Sequence, residues 1–233
     1  MQVREAEHKT RIRGMFDSVA PRYDLLNRCL SAGIDTRWRK HAVRELKLEP
    51  GHTVLDLCTG TADLGLEACR RAPGVRVVGV DLAAEMLRQG RRKVSGTAVS
   101  LVHADAERLP LATGSQDRAC VGFGIRNVTR LDVALRETAR VLRPGGRFVI
   151  LEFTTPPNPV FRGLYHAYFH HLLPGIGRWV SGHPDAYRYL PDSVAAFPGP
   201  AALVSRMEDA GFRNVRYRLL TAGIAALHVG ERA

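Results

Sequence analysis

The stretch Val54-Leu55-Asp56-Leu57-Cys58-Thr59-Gly60-Thr61-Ala62-Asp63-Leu64, followed by Val77-Val78-Gly79-Val80-Asp81-Leu82, decides the fold. It reads as strand, tight turn, helix, strand: an apolar run, a glycine at a turn, a helix start, and a second apolar run that ends in an acid. A glycine turn opening a helix is a nucleotide-type site, and an acid about 20 residues further on suits ribose hydroxyls. Gly60 and Asp81 have that spacing.

The glycines that are missing narrow the ligand. A dinucleotide fingerprint needs three, so that backbone can touch a pyrophosphate; the aligned positions here are Cys58, Gly60 and Asp63. Asp63, in the first helical turn, would face the phosphates, and like charges about 4 Å apart repel by about 4 kcal/mol at an effective dielectric near 20. S-adenosylmethionine carries no phosphate. Its sulfonium and ammonium suit Asp56 or Asp63, and its carboxylate suits the amides at the helix start around Thr61.

Outward from this unit, strands are expected near 53–57, 76–81, 99–103, 117–123 and 147–153, and helices near 62–72, 83–93 and 130–142. Such alternation predicts an α/β fold, a mostly parallel sheet with helices on both faces. Leu131, Ala134, Leu135, Thr138, Ala139 and Leu142 form one helical stripe, and Arg143-Pro144-Gly145-Gly146 is expected to stop that helix and turn into the next strand. A last helix over 201–210 leads to two strand-like runs with Thr221-Ala222-Gly223 as their turn. Residues 154–200 break the alternation with repeated prolines, too long a stretch for a plain connection, and are expected to carry helices and a function. The organisation is thus a helical cover over residues 1–48 and a sheet domain over 49–233 that includes the 154–200 insertion, folding as one unit.

The net charge is +11, and residues 1–48 hold eleven basic against six acidic residues. Nucleic acid, an anionic membrane surface and a solubilising face all fit charge alone. No interleaved aromatic and basic motif supports a nucleic-acid module. No stretch approaches the roughly 18 uninterrupted apolar residues of a membrane span, and the first residues lack a signal-peptide core, so a cytoplasmic protein is expected. Cys29, Cys58, Cys69 and Cys120 have neither metal-pair nor disulfide-framework spacing and read as free thiols. His166, His170 and His171 superficially resemble a metal pair on a helix, but Ala167 stands where a metalloprotease needs glutamate, and no metal is expected. Phe161, Leu164, Tyr165, Tyr168, Phe169, Leu172 and Leu173 form an aromatic stripe that suits core or a hydrophobic substrate wall.

In open parallel sheets the ligand lies beyond the carboxyl ends of the strands. After the third strand comes Asp105-Ala106, a carboxylate to accept from an exocyclic amine and an N–H to donate to a ring nitrogen, which together read an adenine edge. After the fourth comes Gly122-Phe123-Gly124-Ile125-Arg126-Asn127-Val128, where two glycines permit close approach and Arg126 and Asn127 aim polar groups beyond the sulfonium. The segment Met15 to Asn27 suits a cover that excludes water.

With these residues in hand, the chain resembles the family of C-methyltransferases that methylate the ring in menaquinone and ubiquinone biosynthesis, over roughly residues 10 to 231. The resemblance is carried by Phe16-Asp17-Ser18-Val19-Ala20, Arg22-Tyr23-Asp24-Leu25-Leu26-Asn27, Leu30-Ser31-Ala32-Gly33-Ile34 through Trp38-Arg39, and the Gly122 to Val128 segment. Arg140-Val141-Leu142-Arg143-Pro144-Gly145-Gly146 into Leu151-Glu152-Phe153, Tyr187-Arg188-Tyr189-Leu190, and Thr221-Ala222-Gly223 with Ala226-Leu227-His228 extend it. Asp35 stands where many members have histidine, and Gly122 where some have a cofactor-touching serine. The Cys58 to Asp63 wording and Phe197-Pro198-Gly199 are similar to the menaquinone branch.

The resemblance implies a class I S-adenosylmethionine-dependent methyltransferase, Rossmann-like, with a seven-stranded sheet, an N-terminal helical cover and a helical insertion after strand five. It implies cofactor contacts at Thr61, Asp81, Asp105 and Ala106, and methyl transfer to a ring carbon of demethylmenaquinol to give menaquinol, with a ubiquinone precursor or another phenol as the alternative substrate. Arg126 is expected to stabilise the phenolate, since its pKa above about 12 makes it a poor base, with water or a histidine taking the proton. Tyr23 and Asn127 are expected to orient the ring, and residues 161–173 to hold the prenyl tail. That tail lives in the bilayer, so the basic N-terminal region is expected to bring the enzyme transiently to the inner face of the cell membrane. A homodimer is left open.

Overall fold

The structure, a computed structural model, describes residues 2–31, 33–167 and 184–233. Its strands are β1 (Thr53–Leu57), β2 (Arg76–Asp81), β3 (Val99–His103), β4 (Gln116–Gly122), β5 (Leu142–Phe153), β6 (Phe212–Leu220) and β7 (Ala225–Arg232). They form one sheet in the order β3-β2-β1-β4-β5-β7-β6. β1 to β5 pair in parallel, whereas β7 runs antiparallel between β5 and β6. The tail therefore forms the expected hairpin, turning through Thr221–Gly223.

Three helices precede the sheet: α1 (Gln2–Val19), α2 (Tyr23–Ser31) and α3 (Ile34–Glu45). α4 (Asp63–Arg71), α5 (Ala84–Val94) and α6 (Leu131–Val141) alternate with the strands. α7 (Pro159–Ala167) and α8 (Pro184–Ala196) lie in the insertion, and α9 (Pro200–Asp209) leads into β6.

Both faces of the sheet are covered, which is why the central strands read as unbroken apolar runs rather than alternating ones. Trp38, Ala42 and Val43 of α3, Leu46 just after it, and Leu64 and Ala68 of α4 pack on one face against Val54, Val77, Cys120 and Val149. Ala134 and Leu135 of α6 and Leu203 and Met207 of α9 pack on the other against Leu55, Leu57, Val121, Phe148 and Ile150. Each buried Val, Leu, Ile, Met or Phe side chain contributes about 1.5–3 kcal/mol. The α6 stripe is the one read from the sequence: Ala134, Leu135, Thr138 and Ala139 are buried.

One boundary differs. Arg143-Pro144-Gly145-Gly146 does stop α6, but β5 already begins at Leu142. Leu142 pairs with Gln116 and the register resumes at Arg147 opposite Arg118, so the turn bulges out of the strand instead of preceding it. Gly145, at φ +74°, makes that bulge feasible.

Most of the aromatic stripe, from Tyr168 to Leu173, lies outside the described residues, as do His170 and His171 and the side chain of His166. Of its described members, Tyr165 is buried and Phe161 is exposed. Cys58, Cys69 and Cys120 are free thiols, with Cys120 buried in the core. No helix among the described residues is long and apolar enough to cross a membrane.

Candidate active site

The strand order reverses at β1, which lies between β2 and β4, so the crevice at the carboxyl ends of these strands is where an open α/β sheet binds ligand. The backbone there is contorted: Cys58 (φ 52°), Gly60 (φ 56°), Ala62 (φ 69°) and Phe123 (φ 60°) all adopt left-handed conformations. For the three non-glycine residues this costs roughly 1–2 kcal/mol each, a strain that clusters at ligand sites. The β1 and β4 loops also touch. A Cβ on Gly124 would lie 2.4 Å from the Cβ of Cys58, so only glycine lets them meet.

A narrow cleft of about 90 Å³ lies over these loops, with Gly60, Asp81, Met86, Asp105, Ala106, Gly124 and Asn127 in its wall. Asp81 is held at the end of β2 by two amides: Gly60 N–H donates to Oδ2 and Ala83 N–H to Oδ1, both at 2.8 Å. Burial pushes its carboxyl upward, while these amides pull it back. Asp105 receives the Glu107 N–H at 2.9 Å and the Lys9 ammonium at 2.6 Å. Ala106 lies beside it, nearly buried.

α1 closes the cleft from above. Lys9, Ile12, Arg13 and Phe16, spaced three and four apart, line it. Three polar pins hold the cover down. Lys9 reaches Asp105 and, at 2.8 Å, Glu107. Asp17 accepts the Glu85 N–H at the start of α5 at 2.9 Å. Asp24 accepts from the Thr61 hydroxyl at 2.6 Å and from Lys93 at 2.8 Å. Tyr23 lines the cleft as well, packed edge-on against Phe16 with ring centroids 6.3 Å apart.

A second cavity, of about 1210 Å³, opens between α1, α6 and α8. The other stripe of α1, His8, Arg11, Ile12, Met15 and Ser18, lines it, facing Arg126, Tyr189 and Phe197. Arg126 is 6% exposed and bound to Glu152, itself 2% exposed, at 2.8 Å. The same guanidinium donates to the Phe123 carbonyl at 2.5 Å and, through Nε, to Ser193 Oγ at 3.3 Å, and it lies over the Phe153 ring. Glu152 is occupied in turn by the Arg126 and Phe153 amides at 3.3 and 2.9 Å. Next door, the Tyr189 hydroxyl donates to Asn127 Oδ1 at 2.9 Å.

The structure therefore gathers Asp81, Asp105, Ala106, Asn127 and Tyr23 around the cleft and sets Arg126 in the adjoining cavity. Thr61 lies outside both linings; it is 3% exposed, and its hydroxyl is committed to Asp24 and Lys93. Asp63 and Asp56 do not play the electrostatic part read for them from sequence. Asp63 pairs with Lys93, an ammonium it shares with Asp24. Asp56 is buried beneath the turn, accepting from Thr59 Oγ1 at 2.6 Å and the Gly65 N–H at 2.9 Å. The acids that reach the cleft are Asp81, Asp105 and Glu107. Sequence reading missed Lys9 and Ser193, for which it offers no signal, and the role of Glu152. An acid at the end of an apolar strand, Leu151-Glu152-Phe153, was the available clue.

Burial pushes the Asp56 carboxyl up to about 6, despite its hydrogen bonds. The folded state then binds more protons than the unfolded state between about pH 4 and pH 6, so stability falls as pH rises through that window. A side-chain amide at this position would keep an acceptor for Thr59 and Gly65 without the buried charge. Asp56→Asn is expected to flatten this part of the urea-unfolding profile and to raise stability at pH 7 by roughly 2–3 kcal/mol; an unchanged pH dependence would contradict the assignment.

Fold and cleft together define the class: a class I methyltransferase, whose cofactor is S-adenosylmethionine. Solved structures share the architecture, among them an S-adenosylmethionine-dependent methyltransferase from Aquifex aeolicus (TM-score 0.62, 18% identity, 84% of this chain and 89% of that one). Another, from Thermotoga maritima, is described as a possible histamine N-methyltransferase (TM-score 0.67, 19% identity, 95% of this chain and all of that one). The chain belongs to the ubiE/COQ5 methyltransferase family, whose model matches residues 3–232. It is 52% identical to the demethylmenaquinone methyltransferase of Thermus thermophilus over 94% of this chain and the whole of that protein. It is 51% identical to the ubiquinone/menaquinone biosynthesis C-methyltransferase of Syntrophotalea carbinolica, over 95% of this chain and 94% of that one.

Proposed function

We propose that the chain transfers a methyl group from S-adenosylmethionine to a ring carbon of demethylmenaquinol, giving menaquinol. The observation that carries this reading is the pairing of two cavities at the sheet's carboxyl end. The cleft with Asp81 and Asp105-Ala106 in its wall suits the cofactor, and the larger neighbour, with Arg126 and Tyr189 in its wall, suits a phenolic ring. The names of the Thermus and Syntrophotalea relatives support the substrate.

When bound, the cofactor supplies an electrophilic methyl on a sulfonium. The residues of the cleft fit it: Asp81 for the ribose hydroxyls, and Asp105 and the Ala106 N–H for the adenine edge. The cleft, at about 90 Å³, is well below the roughly 300 Å³ of a small-molecule site, and its α1 wall is the part that opens to admit the cofactor and closes again over it. Lys9→Met removes one pin and is expected to speed cofactor association several-fold in stopped-flow fluorescence. An unchanged rate would contradict the pinning role.

In the second cavity the ring must be the reduced form, because a quinone is electron-poor and only a phenol gains nucleophilic carbon on losing its proton. Arg126 cannot take that proton. Locked by Glu152, Phe123 and Ser193, it presents a fixed cationic edge to the phenolate oxygen as charge develops. Asn127, in the cleft wall with its carbonyl committed to Tyr189, keeps its NH2 to orient the ring with Tyr23. Charge is lost along the reaction path, so exclusion of water by α1 favours it.

The basic N-terminal region brings the enzyme to anionic lipid, where a prenylated substrate resides. Sedimentation with anionic vesicles in low salt, lost in high salt and absent with neutral vesicles, is expected. Equal sedimentation with both would remove the electrostatic role. For the substrate itself, a strain deleted for this chain should accumulate the unmethylated naphthoquinone in its lipid extract; accumulation of a benzoquinone precursor instead would move the assignment to ubiquinone.

A further inference from the structure

Three described residues line both cavities: Ile12, Val128 and Thr129. They stand where the two cavities adjoin. Two are aliphatic, and the third carries a hydroxyl. The Thr129 Oγ1 is buried and has no hydrogen-bond partner among the described residues. Its polar neighbours in the same segment are all engaged: Arg126 by Glu152, Asn127 by Tyr189, and Arg130 by Glu107 at 2.7 Å. A buried hydroxyl without a partner costs about 1–3 kcal/mol. Valine has nearly the same shape and would avoid that cost, so the hydroxyl at this place calls for a use other than packing.

We propose that Thr129 is a further catalytic residue of the methyl transfer, the one that hydrogen-bonds the reacting hydroxyl of the phenolic substrate where the two cavities adjoin. This rests on the quinol reading above. A hydroxyl can both accept and donate. It accepts from the phenol O–H in the ground state and donates to the oxygen once that proton has gone to water, so Thr129 neither gains nor loses a proton overall. Rotation of about 120° about χ1 carries Oγ1 to another staggered position and breaks no existing hydrogen bond, so the oxygen can turn to meet a substrate. The bond strengthens as the phenol oxygen becomes negative, which is when it assists the reaction.

The test compares wild type, Thr129→Val and Thr129→Ser with saturating S-adenosylmethionine and varied reduced demethylmenaquinone of short prenyl length. Thermal unfolding and cofactor calorimetry are run beside the kinetics. For Thr129→Val the expected result is a Tm equal to or above wild type, unchanged cofactor affinity, and a ten- to hundred-fold fall in kcat/KM for the quinol, with the acidic limb of the pH–rate profile displaced to higher pH. Thr129→Ser should return activity to within a few-fold of wild type. Wild-type kcat/KM in Thr129→Val would overturn the proposal, and so would a lowered Tm, because the hydroxyl would then be serving the fold. If wild type itself fails to methylate the quinol, the functional reading falls first and takes this proposal with it.

Discussion

Glu152→Ala is expected to destabilise the protein by about 3–5 kcal/mol, because it strands the Arg126 guanidinium, 6% exposed, without its counter-ion. It also removes the acceptor of two backbone amides, those of Arg126 and Phe153. Methyl transfer should be lost in the same variant, and loss of activity there would not separate folding from chemistry. The double replacement Arg126→Met with Glu152→Gln does separate them. It deletes both charges, keeps a carbonyl for one of the two amides, which donate to different oxygens of Glu152, and should recover much of the stability in urea unfolding while remaining at least a hundred-fold slower in turnover. A double variant that turns over like wild type would show that the pair is structural, and that Arg126 does nothing for the phenolate.

The second large effect is expected at Gly124. Alanine there would place a Cβ 2.4 Å from the Cβ of Cys58, far inside contact distance, and the β1 and β4 loops would have to separate. Overpacking of this kind costs about 1–3 kcal/mol. Because both loops line the cleft, cofactor affinity should fall by at least ten-fold in calorimetry. Cys58 itself adopts φ 52°, a conformation that glycine holds without strain. Cys58→Gly should therefore raise stability by about 1 kcal/mol and, combined with Gly124→Ala, restore much of the lost affinity. If Gly124→Ala binds cofactor like wild type, the contact between the two loops does not shape the cleft.

The sheet was legible because its elements are short-range patterns. Apolar runs, a helical stripe and turn glycines locate β1 to β4 and α4 to α6 within about two residues, and β5 apart from its bulged start. Alternation gave a parallel sheet with its ligand beyond the strands' carboxyl ends, whereas the strand order, and with it the switch point at β1, is visible only in the fold. The acids of the site were legible where they follow strands, as Asp81 and Asp105 do. What each charge meets was not, since ion-pair partners come from distant segments: Lys93 pairs with Asp63, 30 residues away, and Lys9 meets Asp105 across 96. Asp63 is spoken for in that way, and so are Asp105 and Glu107, which Lys9 meets; of the acids in the cleft wall, Asp81 is the one held by backbone amides and not by a cation. Arg126 looked free in sequence because its partner Glu152 stands on another strand.

The central claim is that this cleft and its neighbour carry a methyl group from S-adenosylmethionine to a reduced prenylated naphthoquinone. The most direct measurement is transfer of radiolabel from methyl-labelled S-adenosylmethionine into the organic phase, with reduced and oxidised demethylmenaquinone assayed side by side. The account predicts label in menaquinol from the reduced substrate and none from the oxidised one. No transfer to the reduced substrate, or equal transfer to both, would contradict it.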